Sequence, residues 1–144
     1  MRHSLIIALL MAMPVLAGVD DFRFDTGTIA ATNSYAETKA DPKSGCIKQI
    51  DVSLGSNTGA VSVSVFTVST NGTEVGKSLL AIPTTTVSGS YPIRQAPVTV
   101  AGAALTNETY VPIYLSEDKV RLVVSNLNAA ITTRVKVTVI SEEY

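Results

Sequence analysis

The stretch that most limits how this chain can fold is 131–139. There Ile131, Thr133, Val135, Val137 and Val139 alternate with Arg134, Lys136 and Thr138. A period of two places one set on each side of a pleated strand, and no helix sorts residues that way. Composition extends the point to the whole chain. By count, 18 Val, 17 Thr and 10 Ile make 45 of the 144 residues β-branched. Such side chains are stiff at χ1 and suit a pleated surface better than a helix, so the expectation is all-β.

Shorter runs repeat the pattern. Phe22 and Phe24 alternate with charged neighbours, and Ile50, Val52 and Leu54 alternate with Gln49, Asp51 and Ser53. Val61, Val63 and Val65 share a parity that Phe66 and Val68 reverse, which predicts a bulge near Val65-Phe66. Asn71-Gly72 has the signature of a tight turn, and Ser116-Glu-Asp-Lys119 and Asn126-Leu-Asn128 read as turns between strands. About eight strands in mostly hairpin order predict a single antiparallel β-sandwich, jelly-roll or immunoglobulin-like. Ile50–Leu54, Val120–Val124 and Ile131–Ile140 are its expected core. Pro92, Pro97 and Pro112 mark 91–114 as edge or loop-rich ground, because proline donates no ladder hydrogen bond.

The chain divides into residues 1–17 and a β-sandwich domain, 18–144. Met1-Arg2-His3 precedes an uncharged apolar run to Ala17, which has the layout of a secretory signal peptide. If retained as an N-terminal arm, residues 5–16 must bury their leucines against protein or lipid.

Much chemistry is excluded by what the chain lacks. The sole histidine is His3, the sole cysteine is Cys46, and tryptophan is absent. No imidazole is available inside the fold for a Ser-His or Cys-His nucleophile, and the N and S donors of a zinc site are missing. The chain has 11 Lys and Arg against 12 Asp and Glu with no basic run, unlike a nucleic-acid surface. No catalytic residue, metal, cofactor or small-molecule substrate is expected.

The remaining features read as structure. Cys46 shares a parity with Ile50, Val52 and Leu54 and is expected to be a small buried hydrophobe. Ser116 and Lys119 have the Ser-x-x-Lys spacing of serine acyl-transferring enzymes, but in a turn they lack the helix that brings Lys to Ser. Asp20, Asp21 and Asp25, or Glu117 and Asp118, have no calcium-loop spacing and read as solvated charges. Asn71-Gly-Thr73 and Asn107-Glu-Thr109 fit a glycosylation pattern that turn chemistry alone explains. The tyrosines lack the convergent amide or carboxylate partners of a sugar site.

Three groups of segments carry a resemblance. They are Phe22 to Ile29; Ile47-Lys-Gln-Ile-Asp-Val-Ser-Leu54 leading into the Val61–Val65 strand; and Ser90-Tyr-Pro-Ile-Arg94 followed by Ala101–Leu105, Tyr110–Leu115 and Asp118–Val124. Their order resembles small β-sandwich virion proteins of tailed bacteriophages, of the capsid-decorating or accessory structural type. The resemblance spans roughly 20–140. It implies a non-enzymatic protein located in the virion, bound to the major capsid protein or to copies of itself through many contacts. The signal-like leader points instead to an exported cell-surface or fibre subunit, or a periplasmic binding module. In either case the expected contact edge is Tyr91, Pro92, Arg94, Pro97, Tyr110, Pro112 and Tyr114.

Overall fold

The computed structural model describes residues 19–41, 43–55, 59–70, 75–93 and 112–142. Among them are eight strands and no helix: β1 (Val19–Asp25), β2 (Ser34–Thr38), β3 (Lys43–Leu54), β4 (Val61–Val68), β5 (Val75–Thr85), β6 (Gly89–Pro92), β7 (Ile113–Asn126) and β8 (Val135–Glu142). Every pairing is antiparallel, and all eight strands belong to one open sheet.

The pairs β1–β8, β2–β7, β3–β6 and β4–β5 nest inside one another, as in one long hairpin wrapped around a core. That nesting is the connectivity of a jelly roll. It yields two layers, β1-β8-β3-β6 and β2-β7-β4-β5, joined where β3 also pairs with β7. One continuous core draws on both layers: Phe22 and Phe24; Ile47, Ile50 and Val52; Val61, Val63 and Val65; Val120, Leu122 and Val124; Val135, Val137 and Val139.

The expected hairpin order is therefore corrected. Only β4 and β5 are both consecutive and paired among the principal ladders. The apolar sets of β7 and β8 are each buried on one face. Strands in opposite layers cover each other's apolar faces, which a flat succession of hairpins does not achieve.

The layers are joined by strands that run on past a corner. β2 and then β3 follow one edge of β7: Ser34–Thr38 lie opposite Ser125–Arg121, Lys39 N–H donates to Val120 O, and Gly45–Ile47 lie opposite Leu115–Ile113. At the corner Glu117 has φ 57°, Gly45 has φ 147°, and the register shifts between Lys43 and Gly45. Ser116–Lys119 is thus a bend inside β7 and not a turn between two strands. The Asp118 carboxylate accepts from Ser116 N–H at 3.2 Å and Ser44 Oγ accepts from Glu117 N–H at 3.1 Å, local bonds that hold the bend.

Three further expectations change. The register does shift between Val65 and Phe66, but the extra residues lie on β5, while β4 pairs evenly with β7 from Val61 to Val68. Phe66 stays on the outer face, with the Arg121 guanidinium 5.9 Å from its ring centre. Ile131 is exposed because β8 begins only at Val135; Asn128 Oδ1 accepts from Ala130 and Ile131 N–H and folds that segment into a turn. Cys46 is fully buried, as expected, but not on the core parity. A register shift between Ile47 and Gln49 puts Ile47 inward and leaves Cys46 opposite Glu142, on the outer side. The Asn71-Gly72 turn lies outside the described residues.

Candidate contact surfaces

The expected contact edge is built on β3. Tyr91 lies opposite Ile50 and Pro92 opposite Gln49; Ile93 N–H donates to Lys48 O at 3.1 Å; Ile113 lies opposite Ile47 and Tyr114 opposite Cys46. β6, ending at Pro92, and β7, starting at Ile113, therefore continue one another along the same edge of β3. Tyr91 is half-buried against the core, while Pro92, Pro112 and Tyr114 are exposed. Arg94, Pro97 and Tyr110 lie outside the described residues. The edge prolines sit where the missing N–H is tolerated, Pro92 as the last residue of β6 and Pro112 just ahead of β7.

A second cluster flanks the opposite end. Arg134 donates from Nε to Asp25 Oδ1 at 2.8 Å and from Nη2 to Asp25 Oδ2 at 2.5 Å, and Lys136 Nζ stands 3.9 Å from the same carboxylate. The Arg134 hydrogen bonds, joined by the backbone N–H of Gly27, lower the Asp25 pKa to about 2. Beside them opens a shallow cleft of about 390 Å³ lined by Ser53, Leu54, Gly55, Arg134 and Lys136. With both Asp25 oxygens engaged by the Arg134 fork, the pair joins β1 to the start of β8 and is not poised to move a proton.

A third group closes the side of the sandwich at β2. Tyr35 O–H donates to Glu37 Oε2 at 2.5 Å, Lys39 Nζ donates to Glu37 Oε1 at 2.6 Å, and the same ammonium stands 4.8 Å from the Phe24 ring centre. β2 and β1 belong to different layers, so this chain of contacts bridges them. Burial, reinforced by the hydrogen bond to Glu37, raises the Tyr35 pKa to about 12. Burial pushes Glu37 upward, but hydrogen bonds from Lys39 and Tyr35 outweigh it and hold the carboxyl below its ordinary value.

The connections 26–33, 86–88 and 127–134 and the described residues 55, 59 and 60 between β3 and β4 meet at one end of the sandwich. Asn126, buried at the end of β7, ties two of them. Its side-chain amide faces Ile29 O, Ala30 O and Ile131 O at 3.4, 3.2 and 2.7 Å, and its Oδ1 accepts from Asn128 N–H at 3.0 Å. Thr32 N–H donates to Asn128 O, Leu127 N–H to Ala60 O and Gly55 N–H to Arg134 O. Leu54 N–H donates to Ser88 Oγ at 2.9 Å, bringing in the β5–β6 turn. The sequence reads Asn126 only as the start of the Asn126-Leu-Asn128 turn, although it falls on the inward parity of Val120, Leu122 and Val124 and closes β7. A polar residue there signals a buried hydrogen-bonding hub.

Among the described residues no group of three or more His, Cys, Asp or Glu could hold a metal ion. The chain matches no protein-family model, no curated protein and no solved structure.

Proposed function

We propose that this protein is a non-enzymatic structural component of a virion, of the capsid-decorating or accessory head type. It would hold to the major capsid protein or to its own copies through many individually weak contacts. The observation that carries the reading is the nested pairing β1–β8, β2–β7, β3–β6 and β4–β5, a jelly roll. Jelly rolls recur in viral capsid domains, though also in lectin and cupin domains. Because one fold hosts many functions, the side chains must carry part of the argument. The strongest ionic group, Asp25 with Arg134, is engaged within itself, and the Tyr35-Glu37-Lys39 chain braces two layers. Both look like scaffolding, which supports a role in contact over one in chemistry.

The apolar run Leu5–Ala17 favours a second reading, an exported cell-surface or fibre subunit or a periplasmic module. One experiment separates them: the intact mass of the protein from its native source, taken across fractions of a density gradient that resolves particles from envelope and soluble material. A chain beginning at Met1 or Arg2 that travels with particles supports the virion reading. A chain beginning at Gly18 in envelope or soluble fractions overturns it in favour of export.

A further inference from the structure

The end where these connections meet has a composition unlike the rest of the molecule. Its 22 described residues are 26–33, 55, 59–60, 86–88 and 127–134, and Arg134, ion-paired with Asp25 at the rim, is the only charged one among them, in a chain that is 16% charged. The opposite end is ionic, with Lys39, Asp41, Glu117, Asp118, Lys119 and the Lys48–Glu142 pair. Among the described residues, three of the four exposed large apolar side chains lie at the charge-poor end: Val87 at 65%, Leu127 at 49% and Ile131 at 43% exposed. A surface depleted of charge and studded with aliphatic side chains has the makeup of an interface centre. The hydrogen bonds of Asn126 and Asn128 hold its loops in place, so little ordering entropy remains to be lost on association.

We propose that this end is a self-association surface, through which two copies of the chain meet end to end about a two-fold axis. Two features argue for a second copy as the occupant. The first is electrostatic: a patch without charge at its centre is its own complement, and at its rim Arg134 and Lys136 stand beside Asp25, so both signs lie side by side there. A two-fold contact of such a patch brings no like charges face to face at its centre. The second is size, because 19 of the 22 residues reach the surface, close to the roughly 20 per side at the lower bound of a standard interface. This surface is separate from the Tyr91–Tyr114 edge, and the inference does not rest on the virion reading.

The test is sedimentation velocity of the full chain from about 1 to about 300 µM, a range chosen to span weak and moderate association. It compares the parent with Leu127→Lys, Ile131→Lys and the control Thr38→Lys, which changes an exposed side chain of β2 away from this end. Mass spectrometry confirms that all four share one amino terminus. The parent and the control are expected to pass from monomer to dimer over this range. Each patch variant should weaken the dimer by roughly 30-fold or more while melting at the parent's temperature at about 1 µM, where both are monomeric. Oxidation of Leu127→Cys or Ile131→Cys should trap a disulfide-linked dimer, since Cys46 is fully buried. A parent that stays monomeric throughout, patch variants that associate as the parent does, or no cross-link from either cysteine variant would each overturn the proposal. If the parent is monomeric and the patch variants lose attachment to particles instead, the surface faces a different protein.

Discussion

Asn126 shows how much one buried side chain can organise. Its amide satisfies carbonyls in two separate connections, and its own carbonyl accepts from a third position. Asn126→Ala strips those partners at once and leaves polar groups of the chain end without hydrogen bonds. The expected loss is about 2–3 kcal/mol, read as a shift of the urea midpoint at constant slope. Asp25 gives a pH signature of known sign. Its carboxyl is held at about 2 in the folded protein, below its unfolded value, so its stabilising effect is complete above about pH 4. That effect fades as pH falls from about 4 to about 2. Melting temperatures across that window should drop more steeply for the parent than for Asp25→Asn, and parallel curves would refute the assignment.

At the scale of elements, legibility followed parity. Phe22, Phe24, Ile50, Val52, Val61, Val63, Val65, Val135, Val137 and Val139 were all readable as inward residues from alternation alone, and all are buried. What alternation does not encode is a register shift. The shift between Ile47 and Gln49 turns Cys46 outward, and the bend at Glu117 keeps β7 continuous through residues whose polarity looks like a turn. The shift within the β3–β8 ladder leaves no mark in local composition, and the polar residues of the bend do not tell a bend inside one strand from a turn between two. Alternation likewise extends to Ile131, but the Asn128 side chain captures the N–H groups that would have extended β8. The edge of β3 where contact is expected was only half legible: prolines marked it as edge ground, yet its alignment along β3 depends on pairings between distant segments. Val137 offers the strictest check on inward parity, since it is fully buried opposite Val52 and Phe24. Val137→Asp places an unpaired charge in the core and should abolish cooperative melting, with the circular dichroism of an unfolded chain at 25 °C. A soluble variant with a sharp transition would disprove the parity.

The whole molecule is a nest of long-range pairings, and its folding should be slow for that reason. Its ladders must bring Val19 to Glu142 and Ser34 to Ser125 before they yield any stabilisation. Loop closure of that kind places all-β domains at the slow end of the two-state range, milliseconds to seconds. Stopped-flow refolding by tyrosine fluorescence, from urea into buffer, should give a main phase no faster than about 10² s⁻¹. A microsecond phase carrying most of the amplitude would contradict the nested order. The same nesting has a geometric consequence. Val19 and Glu142 stand opposite each other at the start of β1 and the end of β8, so whatever precedes the one and follows the other leaves from a single corner. That corner lies a full strand length from the charge-poor loops. The molecule is thus polar like a peg: a tether at either terminus fixes the same pole, and the other pole is held outward, free to engage whatever comes within reach.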